Sequence, residues 1–346
     1  MNLDSIVGGR DERVGAGAVW RPPPGKRGAF LHARLVEAGG KGVRVRRLGC
    51  NRAGEIRITR FLHNDAVTVH EMVETARART CAQATDRHIL AIQDTTSVRV
   101  AADGTGVSLH PVIAVDARDG ALLGLADARF LNRKGGLKAK RKQRNFEQKD
   151  SRRWLDGANS ASTLAAAGAA CVTVMSDREG GIYEDFALRP QNVEMLVRAA
   201  QDRRLVDGSH LFALVDTLDE AGQMTIELPA APGREARTAV LALRFGTMEI
   251  CRPLNRGTGK KGAAQLPRSV VLTLVDAREI NPPPGVVPAH WRLLTTHKVN
   301  ALADARRIVG FYRLRWTIEQ LFRTLKTQGF NIEALRQWAG TTPGGG

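Results

Sequence analysis

The stretch RHILAIQDTTSVRV, residues 87–100, contains a short apolar run that ends on an acid. Two further apolar stretches follow it closely: VSLHPVIAVDARDG (107–120) and ALLGLADARFLNR (121–133). The turn signals ADGTG and ARDG separate the three stretches. Because such short connections join antiparallel neighbours, this part of the sequence predicts three adjacent antiparallel strands.

The segments on the C-terminal side of this region alternate between helical and strand-like patterns. We interpret them, in chain order, as a helix ending at Gly168, a strand, a short helix, a strand and one long helix: RWLDGANSASTLAAAG (153–168), CVTVMSD (171–177), IYEDFALRP (182–190), VEMLVRAA (193–200) and the stretch from 300 to 330. This order predicts an α/β fold with a sheet of mixed strand directions and flanking helices.

Shifts in composition divide the chain into segments. Residues 205–286 are rich in strand patterns and punctuated by Gly and Pro, which indicates a separate β-rich insertion. The remaining divisions are a disordered leader, a helical module that either packs or binds DNA, a catalytic core in two pieces and a short tail: 1–30, 31–85, 86–204 with 287–333, and 334–346.

The charge of the chain indicates a polyanionic partner. Its 346 residues include 52 Lys and Arg against 35 Asp and Glu, a formal net charge of +17. Nucleic acid is the favoured partner, because cations that neutralise phosphates release counterions. The four cysteines form no C-x-x-C pair and the eight histidines show no metal-ligand spacing, so a zinc ribbon and a disulfide framework are not expected. No apolar run is long enough to span a bilayer.

Two of the predicted strands end on a carboxylate. Asp94 follows the apolar run ILAIQ, and Asp177 follows CVTVMS. Reactive groups in open α/β sheets lie at the carboxyl ends of strands, so both residues are candidate catalytic groups. For either one alone, a turn or helix cap is the commoner role.

The long helix contains a third candidate carboxylate, in YRLRWTIEQLFRTLK (312–326). At about 100° per residue, Tyr312, Arg315, Glu319 and Lys326 fall within about 60° of one another beside an apolar arc. Docking of that arc onto the sheet would bring Glu319 towards the strand ends. An Arg315–Glu319 ion pair is the simpler alternative. Three converging carboxylates suit Mg²⁺ or Mn²⁺, with the flanking basic side chains and the tyrosine holding phosphates.

The spacing Y-x2-R-x3-E-x6-K resembles the YREK signature of bacterial DDE transposases of the insertion-sequence-four type. The similarity extends to AIQDTT, KDSRRWL, SDREGGIYE and WRLLTT, and covers residues 45 to 337. It implies an RNase H-like core and cut-and-paste transposition through Asp94, Asp177 and Glu319, which would bind the metal. The implied partners are the terminal inverted repeats and target DNA, in the bacterial cytoplasm and at the nucleoid.

Other residues are secondary DNA-binding candidates. Trp291 opens the strand WRLLTT, where a tryptophan is more often part of the core. The resemblance implies that it stacks on a flipped base. The run between Arg133 and Arg153 holds ten Lys or Arg and two acids, and we expect it to follow DNA phosphates or to form a solvated loop. Its candidate contacts are Lys138, Lys140, Arg141, Lys142 and Arg144.

The sequence also departs from the family pattern. Gly181 stands where relatives usually carry Asp, and the chain ends in TTPGGG, 20 residues after Lys326. Relatives continue into a helical region that supports a homodimer. Two readings therefore stay open: an active transposase, or a C-terminally truncated, non-catalytic remnant that only binds DNA. We expect this chain alone to be a monomer or a weak dimer.

Overall fold

The computed structural model describes residues 24–39, 43–100, 106–133, 151–230, 235–253 and 266–328. Helices occupy Pro24–Ala38 (α1), Val45–Gly49 (α2), Arg52–Leu62 (α3), Val69–Ala84 (α4), Arg152–Ala166 (α5), Tyr183–Ala187 (α6), Leu211–Thr217 (α7), Leu302–Leu314 (α8) and Trp316–Arg323 (α9). Strands occupy His88–Gln93 (β1), Thr96–Val100 (β2), Gly106–Asp116 (β3), Leu122–Arg133 (β4), Cys171–Ser176 (β5), Glu194–Arg198 (β6), Gly222–Leu228 (β7), Arg237–Cys251 (β8), Ser269–Glu279 (β9) and His290–Thr295 (β10). A 3₁₀ turn covers Arg178–Gly180, and a π-helical turn covers Thr324–Gln328. None of the helices in these ranges combines the length and apolarity needed to cross a membrane.

The first three helices pack on one another. The Asn51 side chain caps α3 by accepting a hydrogen bond from the Gly54 N–H at 2.9 Å. Helix α1 begins at Pro24, inside the segment 1–30 that the composition predicts to be a disordered leader. That prediction is therefore wrong for residues 24–30, where the Gly and Pro content did not prevent a helix.

Helix α4 is capped by Thr68, whose hydroxyl accepts a hydrogen bond from the Glu71 N–H at 3.1 Å. It lies against β4 rather than against the first three helices. The Thr80 hydroxyl donates to the Leu125 carbonyl at 2.9 Å. A Cβ at Gly124 would lie 2.4 Å from the Thr80 oxygen, so only glycine lets the helix come this close. By packing, α4 belongs with the sheet.

The three predicted antiparallel strands are confirmed. β3 pairs antiparallel with β1 and β2 along one edge and with β4 along the other. β1 and β2 therefore form one interrupted strand, broken at Asp94 and Thr95. On its other side β1 pairs in parallel with β5, and β5 in parallel with β6. The sheet is mixed, as the order of the elements predicts.

The strands between residues 205 and 286 are part of the same sheet. β10 pairs with β6 on one edge and with β9 on the other, and β8 and β7 follow in antiparallel order. The expectation of a separate β unit is therefore wrong. Gly and Pro mark the turns of this segment, but they carry no information about which strand its edge hydrogen-bonds to.

Helices cover both faces of the sheet. Alternate residues of β1 enter two different cores: Ile89 and Ala91 pack on the side of α5, and Leu90 and Ile92 pack on the side of α8 and α9. Gly168, at φ +98°, follows the end of α5 as predicted. The site described below lies on the α8 and α9 side.

The predicted long helix is divided into α8 and α9 at Arg315. The Arg315 N–H donates to the Tyr312 carbonyl at 3.1 Å, and the Ile318 N–H donates to the Arg315 carbonyl at 3.2 Å. These are i to i+3 bonds, and Arg315 keeps helical angles (φ −53°, ψ −29°), so a tightened turn joins the two helices. Helical periodicity alone does not reveal such a local change in winding.

Candidate active site

Two carboxylates meet at the carboxyl ends of parallel strands. Ile92 of β1 pairs with Met175 of β5, so Asp94 and Asp177, each two residues further on, lie opposite one another just beyond the paired region. Adjacent strands lie about 4.8 Å apart. The interruption between β1 and β2 frees the Thr95 N–H, which donates to the Asp94 carboxylate at 2.7 Å. That bond fixes the orientation of the first carboxylate.

The α8–α9 turn places a guanidinium among three carboxylates. Arg315 Nη2 lies 2.5 Å from Glu319 Oε1 and 4.0 Å from Asp177 Oδ2, and its Nη1 lies 3.5 Å from Asp94 Oδ2. The Arg315–Glu319 ion pair therefore forms, and the same guanidinium also reaches both strand-end acids. The structure brings together the three acidic side chains that the sequence singles out.

Burial and charge act together on Asp94. Burial raises the pKa of its carboxyl, and the nearby carboxylates of Glu319 and Asp177 raise it further, while the Thr95 N–H and Arg315 lower it. Such a site favours either a proton or a cation. The oxygen-only donor set of the three acids suits a hard divalent cation.

Tyr312 is a supporting residue of the same cluster. Its hydroxyl donates to Asp177 Oδ1 at 3.0 Å, and its ring meets the Trp291 ring at 5.6 Å in an edge-on arrangement. Burial raises the pKa of Tyr312 to about 12, and the charge of Asp177 adds to the effect. Tyr312 therefore stays protonated and acts as a hydrogen-bond donor. Phosphate contacts by Tyr312 and Arg315 stay a prediction, since both side chains contact carboxylates here.

A polar network behind Asp94 escaped the sequence analysis. The Thr95 hydroxyl hydrogen-bonds to His110 Nδ1 at 2.8 Å, and His110 Nε2 lies 3.3 Å from Gln93 Oε1. Arg153, at the start of α5, donates to the same hydroxyl at 3.0 Å. Arg153 stands in KDSRRWL, whose resemblance to the family could have marked it. The sequence around His110 does not indicate this role, because His110 reaches Thr95 only through the pairing of β3 with β2.

A large cleft adjoins the carboxylates. Its volume is about 1510 Å³, and Trp291, Tyr312, Arg315 and Trp316 are among the residues that line it. The lining includes six arginines and three acidic residues. Typical small-molecule pockets occupy about 300–1,000 Å³. This cleft is larger, and arginines outnumber acidic residues in its lining two to one, which suits a segment of a polyanion.

The remaining predicted DNA contacts have different outcomes. Trp291 is half-buried, touches Tyr312 and lines the cleft, so it combines a packing role with access to solvent. Lys326 is half-buried in the π-helical turn after α9. Residues 134–150 of the basic run lie outside the described residues, with all five of its candidates: Lys138, Lys140, Arg141, Lys142 and Arg144.

The two glycines after Asp177 fit a tightly packed turn. A Cβ at Gly180 would lie 2.2 Å from the Ser176 hydroxyl oxygen. At Gly181 it would lie 3.3 Å from a Val197 methyl group, and Arg203 donates to the Gly181 carbonyl. The residue that departs from the family pattern thus stands where β6 packs closely against the turn.

Comparison with known protein families agrees with this geometry. A model of the family described as "Transposase DDE domain" matches residues 108–337, about two thirds of the 346 residues. The match includes Asp177, Glu319, Tyr312 and Arg315, and it begins after Asp94. The chain therefore belongs to the transposase DDE domain family.

Proposed function

We propose that this protein is a metal-dependent DNA transposase that nicks DNA at transposon ends and joins the freed 3′-hydroxyl to target DNA. The observation that carries the proposal is the convergence of Asp94, Asp177 and Glu319 on one guanidinium. The acids come from two strand ends and a helix, three elements far apart in the chain.

The topology supports an RNase H-like core. In spatial order the relevant strands are β4, β3, β1, β5 and β6, with β1 parallel to β5 and antiparallel to β3. In an RNase H-like core the first and fourth strands of the core are neighbours. In this protein those two strands are β1 and β5, which Asp94 and Asp177 follow. In chain order, β7, β8, β9 and β10 come between Asp177 and α9, the helix that carries Glu319.

The three carboxylates would hold Mg²⁺ or Mn²⁺. A pair of such ions supplies activation of a water or 3′-hydroxyl and stabilisation of the leaving oxygen in an in-line phosphoryl displacement. Tyr312 orients Asp177 through its hydrogen bond, and Thr95 orients Asp94 through its backbone N–H. When no metal is bound, Arg315 neutralises the three acids. When a metal ion neutralises them instead, Arg315 is close enough to turn towards a phosphate.

The basic cleft provides a path for the substrate. Arg118 and Arg313 are exposed in its lining, and Arg198 and Arg307 lie there too. Guanidinium groups form bidentate hydrogen bonds to phosphate oxygens. The cleft therefore leads DNA to the carboxylates, with Trp291 and Trp316 available as stacking surfaces. DNA in the bacterial cytoplasm and nucleoid is the corresponding cellular substrate.

The test is strand cleavage of DNA carrying the element's own ends, in Mg²⁺, by the purified protein and by Glu319→Gln. We expect the variant to cut more than about 100-fold more slowly. Mutation of a residue that only hydrogen-bonds to a metal ligand already lowers metal affinity or activity by about 10–100-fold. DNA affinity should stay within about threefold, because phosphate contacts dominate it. The control is Glu220→Gln, an exposed residue before β7.

Two outcomes would contradict the proposal. Cleavage by Glu319→Gln at the normal rate would remove this acid from the reaction. A wild-type protein that binds the ends tightly and never cuts them, with Mg²⁺ or Mn²⁺, would favour the non-catalytic remnant instead.

A further inference from the structure

A second cluster of polar side chains lies at the opposite ends of the strands that carry Asp94 and Asp177. His88 is the first residue of β1, Cys171 is the first residue of β5, and the two are paired in register. His297 follows β10 and completes the group. One potential ligand atom from each residue lies within 4.8 Å of the others, and all three side chains are half-buried.

The cluster and the carboxylates are distinct sites on the same face of the sheet. Side chains alternate along a strand, so His88 shares its face with Leu90, Ile92 and Asp94. Asp94 lies six positions after His88, which corresponds to about 20 Å of extended chain. Ligands in one cluster therefore cannot share an ion with ligands in the other.

The donor atoms of the cluster select a different kind of metal. Two imidazole nitrogens and one thiolate sulfur suit Zn²⁺, whereas Mg²⁺ and Mn²⁺ prefer the oxygens of carboxylates. We propose that His88, Cys171 and His297 bind a zinc ion, in a site separate from the catalytic carboxylates. The cluster joins elements that are remote in the chain, which explains why sequence spacing did not indicate it.

The geometry needs only a small adjustment. Tetrahedral zinc holds nitrogen and sulfur ligands about 3.3–3.7 Å apart. A spacing of up to 4.8 Å therefore contracts by about 1 Å, within the reach of side-chain rotation. The Thr173 hydroxyl lies 2.8 Å from Nε2 of both histidines and already orients the two rings. A metal ion bound through these two nitrogens would replace their hydrogen bonds to Thr173.

The surroundings contain charges of both signs. Glu194 pairs in register with Thr173, and it interacts electrostatically with both Cys171 and His297. Its carboxylate accepts a hydrogen bond from the Thr296 hydroxyl and is a candidate fourth ligand. Arg307 of α8 opposes a cation, but its guanidinium is paired with Asp304 at 2.9 Å.

The zinc site would connect to helix α8. The Phe311 ring meets the His88 ring at 4.8 Å, edge-on, and the next residue, Tyr312, bonds to Asp177. Adjacent residues of one helix thus contact the two sites. A metal that holds His88 in place would fix the position of α8 and, through it, of Tyr312.

The experiment uses the full chain, freed of metal with a chelator and titrated with Co²⁺, a spectroscopic substitute for zinc. We expect one equivalent of tetrahedral Co²⁺ with a thiolate-to-cobalt charge-transfer band, and displacement of it by Zn²⁺. Cys171→Ser should abolish the band, and His297→Gln should weaken binding at least about 10-fold. Cys81→Ser, a change at another half-buried free cysteine, should leave the spectrum unchanged.

A second measurement on the wild-type protein covers the case in which the variants do not fold. Zn²⁺ should slow modification of Cys171 by a thiol reagent, and should leave the rates at Cys81 and Cys251 as they were. The proposal is overturned if no charge-transfer band forms, if the band persists in folded Cys171→Ser, or if Zn²⁺ does not protect Cys171. Glu319→Gln should bind Co²⁺ at this site normally, so failure here is distinguishable from failure of the transposase proposal.

Discussion

The Arg315 guanidinium is enclosed by acidic side chains. Its side chain is 12% exposed and faces Asp94, Asp177 and Glu319. Like charges placed so close together repel one another, and an arginine in their midst relieves the repulsion. At the scale of single residues, Arg315 is therefore a cation that belongs to the site itself. A metal ion would compete with it for the three carboxylates.

Replacement of Arg315 with Ala should destabilise the metal-free protein and increase its response to Mg²⁺. The expected loss is roughly 1–2 kcal/mol, because the three acids are partly exposed and water screens their repulsion. Mg²⁺ should restore most of it, since the ion supplies the missing charge. Thermal unfolding with and without Mg²⁺ measures both effects. Arg313→Ala, an exposed neighbour, is the control. An equal Mg²⁺ shift in wild type and Arg315→Ala would contradict this account.

His110 should make stability depend on pH. Burial, with Arg153 and Arg129 nearby, lowers the pKa of His110 from 6.5 to about 3. Between pH 3 and pH 6.5 the unfolded chain binds a proton at His110 that the folded protein does not. The contribution of neutral His110 to the free energy of unfolding is therefore complete above pH 6.5 and is lost as the pH falls. At pH 5 the loss is roughly 2 kcal/mol.

Denaturant unfolding at pH 7 and pH 5 measures this contribution. His110→Gln should flatten the pH dependence by that amount, whatever its effect on stability at pH 7. His63→Gln, which changes an exposed histidine, should keep the full slope. An unchanged slope in His110→Gln would show that His110 is not held neutral.

At the scale of elements, helix α5 approaches β1 closely behind the site. The Gln93 amide donates to the Trp154 carbonyl of α5 at 3.2 Å, and its carbonyl oxygen faces His110. Gly157 provides the space for this contact. A Cβ there would lie 2.1 Å from Gln93 Oε1 and 3.2 Å from a Val112 methyl group. At this point the helix comes so close to the strand because Gly157 carries no side chain.

Gly157→Ala should destabilise the protein by about 1–3 kcal/mol, the usual range for overpacking a core. Gly310→Ala is its matched control, since Gly310 lies inside α8 and a Cβ there meets nothing within 4 Å. That change should be neutral or should stabilise by up to about 1 kcal/mol, because alanine favours helix. Denaturant midpoints distinguish the two. Similar effects of both changes would argue against the close approach of α5.

At the scale of the whole molecule, a single sheet runs from β4 to β7. Its two outer regions are connected through β10, which pairs with β6 and β9. Leu274 of β9 packs in the same core as Val172 of β5 and Ala91 of β1. Shared core and continuous pairing predict that the strands of residues 205–286 unfold together with the strands that carry the acids.

Leu274→Ala tests this cooperativity. The side chain is fully buried, so its truncation should cost about 2–5 kcal/mol. Hydrogen exchange should then show the same loss of free energy for amides of β1 as for amides of β9. Val271→Ala, in the same strand but 60% exposed, should change little. Unchanged protection of β1 in Leu274→Ala would indicate two independent units.

The local elements and the three acids could be predicted from the sequence because their signals are local. Alternation and turn residues indicated three antiparallel strands over the region of β1 to β4, and strand ends and helical phase indicated Asp94, Asp177 and Glu319. The family resemblance identified the same residues. Tertiary structure alone decided how these elements combine. It joined β9 to β10 and β6, divided the last helix at Arg315, placed that guanidinium among three acids, and gathered His88, Cys171 and His297. Apart from the division of the helix, which is a local change in winding, each depends on hydrogen bonds or contacts between residues remote in the chain, for which a linear pattern carries no signal.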